Sequence, residues 1–353
     1  GQDVADLDYL LENVAIATVA DVMDLTEENR ILVKQGLEML KRTSNLGLRA
    51  LIQCIGLEGK KIQAYHIGFI LAPCLNASGK LDTAKRALAL LRAKTEREAD
   101  MLAGDLKALN ESRRDMTDRV VDEAMAKVEQ TDIRGDKVIV IYLPDCHESL
   151  AGLVAGRVRE NYYRPVFVLT DSEDGVKGSG RSIESYSMYE ELTGCGDLLT
   201  KFGGHPMAAG LSLDKENVEK FKRRLNDQCT LSEEELTEKV VIDMELPFAA
   251  ITEHFIEELE YMEPFGKGNT KPVFAARGVV MQHVKIIGKN KNVAKATAID
   301  AAGNRMEAIC FHDAQEFAKQ CERNNGKMSI TFYPGINEFR GERQIQIVIT
   351  HYR

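Results

Sequence analysis

Lys137-Val-Ile-Val-Ile-Tyr-Leu-Pro-Asp-Cys-His147-Glu-Ser-Leu-Ala-Gly-Leu-Val-Ala155 decides the fold class. After Lys137, Val138–Leu143 form a continuous apolar run, suited to a strand buried on both faces. A turn through Pro144 follows, and from about Ser149 the period changes to that of a helix. A second apolar run, Val166-Phe-Val-Leu-Thr170, arrives at βαβ spacing. The reading is an α/β domain. It continues through Gly175-Val-Lys-Gly-Ser-Gly-Arg-Ser182, a helix near Met188–Leu192, Gly203-Gly-His-Pro206 and a helix from Asn217 to about Asp227.

Towards the C-terminus, Cys229-Thr-Leu-Ser-Glu-Glu-Glu-Leu236 is acidic and poor in core candidates, as a linker would be. Strand-like segments then recur at Val240–Leu246, Val273–Ile287, Val293–Asp300, Arg305–Phe311, Met328–Tyr333 and Gln344–Ile349. Short helices are expected at Thr252–Leu259 and Ala314–Cys321. Several short strands separated by glycine and asparagine turns predict a small β-barrel.

Towards the N-terminus, residues 81–129 hold no proline and a single glycine, Gly104, and Ala, Leu, Lys, Arg and Glu dominate. One long helix or two abutting helices is expected there, connecting two bodies; apolar heptads are not sustained enough for a coiled coil. Tyr9 to Val22 is mostly apolar and small and is read as a short helix running into Ala17-Thr-Val-Ala-Asp21, with Asp21 at an expected strand end, and Thr26 is a candidate cap for a following helix. The sequence is therefore read as a multi-domain α/β protein divided at about 1–80, 81–130, 131–228 and 236–353.

The 353 residues carry a net charge of -9, but the charge is unevenly spread. From Pro264 onward there are 14 basic and 7 acidic residues, a balance of +7, against -16 for the remainder. Such asymmetry is a partner signal, although a solvated basic face produces it too. No apolar run is long enough to span a bilayer, so no membrane partner is expected. Seven cysteines at irregular spacing, with no C-x-x-C pair, suit reduced thiols in a cytoplasm.

Three clusters in the middle domain have chemistry to offer. Gly178-Ser179-Gly-Arg181-Ser182 sets an arginine and two hydroxyls among glycines that let a backbone approach a phosphate. A β-turn with a solvent-facing arginine fits equally well, and the Gly-Lys-Ser/Thr ending of a nucleotide-binding P-loop is absent. Gly203-Gly204-His205 presents an imidazole on a flexible turn, able to ligate a metal, donate to a phosphate oxygen or move a proton. His147 follows the first buried strand and precedes a helix, the place where open parallel sheets bind ligands and helix N-termini favour anions. Cys146 beside it makes a Cys-His nucleophile pair on paper, but adjacent residues face different ways.

Asp21 and nearby Asp24 offer carboxylates of the kind that suit Mg²⁺ or Mn²⁺, or that cap a turn. Asn76-Ala-Ser-Gly-Lys80-Leu-Asp82 is read as a polar loop before the long helix. In the basic end, Lys285, Lys289, Lys291 and Lys295 occupy an acid-free stretch, with Tyr333, Phe339 and Arg340 in later strands. Cations and aromatic rings on a small barrel fit single-strand binding, since every base has a face to stack. A charged solvated surface is the alternative.

Taken in order, Ala17-Thr-Val-Ala-Asp21-Val, Asn76-Ala-Ser-Gly-Lys80-Leu, His147 ahead of Leu150-Ala-Gly-Leu-Val-Ala, Gly178-Ser-Gly-Arg-Ser182, Gly203-Gly-His205 and Pro264-Phe-Gly-Lys-Gly-Asn269 resemble one family. It is the RecJ family of single-stranded-DNA-specific 5′-to-3′ exonucleases, within the DHH phosphoesterase superfamily, and the likeness runs from about Ala17 to the C-terminus. The resemblance implies part of a DHH domain, a connecting helix, a DHH-associated α/β domain and a C-terminal OB fold. It implies a cytoplasmic enzyme of DNA repair and recombination that uses Mn²⁺ or Mg²⁺, with Asp21 as one metal-holding carboxylate. His147, Arg181 and His205 match family residues that hold the substrate phosphate, with Asn76, Lys80, Ser179, Ser182, Gly203 and Gly204 in the same motifs. Lys285, Lys289, Lys291, Lys295, Tyr333 and Arg340 would grip single-stranded DNA. A single-strand-binding protein or a helicase is the accessory partner the resemblance suggests.

The sequence departs from the family before Asp21, where neither the paired-aspartate motifs nor Asp-His-His is found; Asp6-Leu-Asp8 matches Asp-x-Asp at the wrong place. Lys80 stands where arginine is usual, and Cys146 where tryptophan is usual. The expectation is the back two-thirds of such an enzyme, which binds single strands, holds no metal stably and is inactive alone. The alternatives are a non-catalytic adaptor for nucleic acid or protein and a DHH-type phosphoesterase acting on short oligonucleotides.

Overall fold

The computed structural model describes residues 10–353 other than 82–83, 289, 312–313 and 340. Two compact units emerge, one of residues up to Thr43, Leu57–Ala72 and Val240–Arg353, the other of Ser44–Gly56 and Pro73–Lys239. Residues 1–80, expected as one body, are thus divided between them. The reason is local packing within the second unit: the helix Leu46–Cys54 lies so close to residue 90 that a β-carbon on Gly47 would meet the Leu90 carbonyl oxygen at 1.9 Å.

The second unit is built on a five-stranded sheet: β1 (Ile139–Tyr142), β2 (Val166–Ser172), β3 (Gly175–Arg181), β4 (Leu199–His205) and β5 (Ala208–Leu213), in the order β1-β2-β3-β5-β4. β1 and β2 are parallel, joined by the helix Glu148–Tyr162, and the remaining pairs are antiparallel. The opening apolar run does what its composition demands. Val138 and Val140 face Phe167, Leu169, Phe221 and Leu225 on one side of the sheet. Ile139 and Ile141 face Leu150, Val154 and Val158 on the other, together with Ala124 and Val128 of the long helix. Alternate side chains of a strand point to opposite faces, so a run apolar at every position can fill two cores.

The stretch read as one long helix or two abutting ones is a short helix, Lys85–Leu91, and a 35-residue helix, Glu96–Gln130, started by Thr95 accepting from the Glu98 N–H. At about 1.5 Å per residue the longer one extends about 52 Å. It packs against Leu46–Cys54, the helix Glu148–Tyr162 and the sheet, all in the second unit. Ala99, Ala103, Leu106, Ala124 and Val128 are its buried apolar positions. Asn76–Lys80, read as a loop, lies in the helix Ala72–Leu81. Cys74 and Ala77, three residues apart, are buried on one side of that helix.

In the first unit the helices Leu11–Ala20 and Glu27–Leu40 pack closely enough that a β-carbon on Gly36 would meet the Leu11 carbonyl oxygen at 2.3 Å. The second sheet comprises the short β6 (Met244–Glu245) and the barrel strands β7 (Phe274–Ile287), β8 (Val293–Ile299), β9 (Arg305–Cys310), β10 (Lys327–Phe339) and β11 (Glu342–Tyr352). The order β7-β8-β9-β11-β10 closes when β10 pairs back with β7, which removes free edges. Phe248, Phe274, Phe317 and Phe332 fill the interior. Of the strand expected at Val240–Leu246 only Met244–Glu245 pairs, at the outer edge of β7. At Gly326 a positive φ of 77° combines with a Met281 carbonyl oxygen 2.7 Å from where a β-carbon would stand, so β10 can begin there only with glycine.

Candidate functional site

Neither glycine cluster is a turn; both lie in strands. Gly175–Arg181 is β3 and Leu199–His205 is β4, and neither pairs with the other directly; β5 lies between them. The register then stacks three rows across one face. Arg181 and His205 both stand opposite Ala208; Ser179 and Gly203 both stand opposite Gly210; Lys177 and Lys201 both stand opposite Ser212. Residues directly opposite in a sheet share a face, so an arginine, a histidine and two lysines converge on the same surface.

The second and third rows floor a cleft of about 500 Å³, walled by Glu148, Ser149 and Ala151 of the helix Glu148–Tyr162 and by Thr170. Its glycines are informative. Nothing lies within 4 Å of where a β-carbon on Gly203 would stand, and at Gly210 the nearest atom is 3.9 Å away. Neither packing nor a positive φ requires glycine at these two positions, and the missing side chains leave the floor open. Gly204 is different: its φ of 151° and the Ala208 carbonyl oxygen 2.4 Å from a β-carbon make it a requirement of the strand.

Arg181 lies beside the cleft, half-buried, with Nη1 donating to the Gly180 carbonyl at 2.8 Å. Burial, and then the charge of Arg159, hold its guanidinium below the usual arginine range, yet it remains a cation with a planar donor fork for an oxyanion. His205 is exposed at the end of β4. His147 caps the helix Glu148–Tyr162: its Nδ1 accepts from the Ser149 N–H at 3.2 Å and lies 2.7 Å from Ser149 Oγ. A ring nitrogen that accepts an N–H carries no proton, so neutral His147 holds its proton on Nε2 and offers that atom as a donor to an anion. The turn before it is clamped by buried Thr170, whose hydroxyl donates to the carbonyls of Pro144, at 3.3 Å, and Cys146. Burial pushes the Cys146 thiol up, which removes the Cys-His nucleophile reading.

Of the remaining expected residues, Ser179 and Gly203 line the cleft. Ser182 does not: it is buried, its hydroxyl donates to the Tyr186 carbonyl at 2.5 Å and its N–H to the Met207 carbonyl at 2.9 Å, so it builds the loop instead of facing a ligand. Asn76 is exposed on its helix, and the side chain of Lys80 lies outside the described residues. Lys177 and Lys201 were not singled out from the sequence. The signal was present as alternation, Lys177-x-Ser179-x-Arg181 and Lys201-x-Gly203-x-His205, and was hidden by reading the glycines as turns. Lys177 binds Glu148 at 2.7 Å, and the pair holds the carboxyl below and the ammonium above their ordinary ranges.

Asp21 is exposed at the C-terminal end of the helix Leu11–Ala20, not at a strand end. Asp24 pairs with Lys267 at 2.9 Å. Among the described residues no three His, Cys, Asp or Glu side chains could together hold a metal ion. Asp21 alone does not fit a two-metal centre, which needs several carboxylates.

On the barrel, Lys285 stands opposite Lys295 across β7 and β8, and Lys291 lies in the turn between those strands with a φ of 53°. Lys295 forms an ion pair with Glu307 at 2.6 Å, a glutamate whose side chain is only 13% exposed, which offsets its charge. Tyr333 is half-buried, with Lys271 Nζ 4.4 Å above its ring and Phe265 at 6.1 Å. Burial, and secondarily Glu263 and Glu260, push its phenol up to about 12. One ring face is therefore already occupied by a cation. Lys289 and Arg340 lie outside the described residues.

Residues 135–231 match the DHHA1 domain and residues 242–351 the RecJ OB domain. Over 346 residues, 97% of this chain, the sequence is 35% identical to the single-stranded-DNA-specific exonuclease RecJ of Bacillus subtilis, covering 44% of that protein. The corresponding figures for the Escherichia coli protein of the same description are 32% identity, 98% of this chain and 61% of that protein. The chain spans about half the length of the curated relatives it matches. The crystal structure of RecJ in complex with Mg²⁺ from Thermus thermophilus superposes with a TM-score of 0.81 at 26% identity, covering 98% of this chain and 52% of that one. A crystal structure of exonuclease RecJ bound to manganese matches with a TM-score of 0.52 at 36% identity, over 62% of this chain and 54% of that one.

Proposed function

Because the chain, with its DHHA1 and RecJ OB domains, belongs to the RecJ family, we propose that it is the substrate-holding portion of a single-stranded-DNA exonuclease. The supporting observation is the row in which Arg181 and His205 flank Ala208 beside a glycine-floored cleft. In this reading Arg181 takes a phosphate through its donor fork, and His205 and the Nε2–H of His147 supply further hydrogen bonds. The closed barrel holds the trailing strand, chiefly through the exposed Lys285 and Lys291.

Hydrolysis would need divalent metal to activate water and to stabilise the leaving oxygen. No ligand cluster for it is present among the described residues. In this reading the chain binds single strands and does not cleave them by itself. The test is a 5′-labelled single strand incubated with the chain in Mn²⁺ and in Mg²⁺, with affinity measured against strand length in parallel. Binding that strengthens beyond a few nucleotides, with a steep salt dependence and no mononucleotide release, is expected. Metal-dependent release would overturn the inactivity, and no affinity for any strand would overturn the binding role.

A further inference from the structure

The cleft does not coincide with the Arg181 and His205 row. It opens over the two rows beyond it, with Ser179, Gly203 and Gly210 in the middle and Lys177, Lys201 and Ser212 at the far side. Lys177 and Lys201 stand four residues from Arg181 and His205 on their own strands, about 13 Å between Cα positions at ordinary strand rise, a gap that the long lysine and arginine side chains can narrow to the span of one nucleotide. The space between is bare because Gly203 and Gly210 carry no side chains, although nothing in the fold excludes a β-carbon at either. Glu148 neutralises Lys177 at 2.7 Å, while Lys201 is exposed and has no ion-pair partner among the described residues. Ser149, Ser179 and Ser212 add hydroxyl groups to the lining. A phosphate at the Arg181 row leaves all of these groups unused, and an open floor ending in an unpaired cation is suited to a second anion.

We propose that the cleft is a second anion subsite, in which Lys201 holds a phosphate one nucleotide removed from the phosphate at Arg181 and His205. The ligand class is then a nucleotide unit with a phosphate at each end, lying with its sugar over Gly203 and Gly210. Lys177, fixed by Glu148, borders the same end and has its charge offset by that carboxylate. This inference rests on the phosphate-holding role proposed above for Arg181, and the test separates the two.

The 353-residue chain is titrated calorimetrically at low salt with thymidine 5′-monophosphate and with thymidine 3′,5′-bisphosphate. The bisphosphate is expected to bind about tenfold more tightly, the size of one added charge-assisted contact. Lys201→Ala should reduce that advantage to none, and Lys201→Arg should restore most of it. Arg181→Ala should weaken both ligands. Equal affinity of the two ligands for the unsubstituted chain, or equal weakening of both by Lys201→Ala, would overturn the second subsite while leaving the Arg181 role standing. Insensitivity of both ligands to Arg181→Ala, or no binding of either by the unsubstituted chain, would overturn the two together.

Discussion

Arg181 lies against Gly152 so closely that a β-carbon on that glycine would stand 2.7 Å from the guanidinium Nη2. The helix glycine thereby sets where the arginine can rest. Glycine in a helix interior costs roughly 1 kcal/mol relative to alanine, so propensity alone would favour alanine at this position. Gly152→Ala is therefore expected to displace the guanidinium and weaken thymidine 5′-monophosphate binding several-fold, while the melting temperature stays level or rises. Unchanged affinity in calorimetry would show that the arginine's resting position is unimportant.

Thr170 holds the turn that carries His147. Its buried hydroxyl serves the carbonyls of Pro144 and Cys146, and valine has nearly its shape but no donor. Leaving a buried acceptor unsatisfied costs about 1–3 kcal/mol. Thr170→Val should lower stability by that amount in urea denaturation and broaden or shift the His147 imidazole resonances. A stability loss well below this range would mean that water replaces the hydroxyl.

Lys285 and Lys295 face each other across β7 and β8, yet they should not be equivalent for DNA. Lys295 is engaged by the mostly buried Glu307, whereas Lys285 is exposed. Each phosphate contact on a single strand contributes a slope of about -0.7 to log affinity against log salt. Lys285→Ala is expected to reduce the measured slope by about one contact. Lys295→Ala should leave the slope nearly intact and instead destabilise the barrel, by stranding the Glu307 carboxylate. Equal loss of slope in the two variants would refute the distinction.

Tyr333 predicts an alkaline limit. Its phenol is pushed up to about 12 in the folded chain, against about 10 when unfolded. The folded state thus favours the neutral phenol. The associated stability is fully present below about pH 10, where both states are protonated, and declines as pH rises towards 12 and the unfolded state ionises first. Tyr333→Phe should leave stability at pH 7 nearly unchanged and flatten the decline between pH 10 and 12. Thermal melts across that range, with ultraviolet titration of the phenol, provide the measurement.

The periodic elements follow from local residue pattern alone. Val138–Leu143 is apolar at every position, which specifies a strand with a core on each side, and Thr26 does stand at the start of the helix Glu27–Leu40, although its side chain makes no capping hydrogen bond. Arg181 and His205 also stand out as candidates, because local residue order is enough to recognise them. What those residues share a surface with depends on how the strands pair in the fold. Strand register is a non-local property, and β5, which has no chemistry of its own to attract notice, brings β3 and β4 together as flanking strands. That pairing aligns Lys177 with Lys201 and turns two glycine segments into the floor of one cleft. Charge compensation is non-local for the same reason. Glu307 lies on a different strand from Lys295, and only the fold brings them to 2.6 Å and removes that lysine from the free positive charge of the barrel.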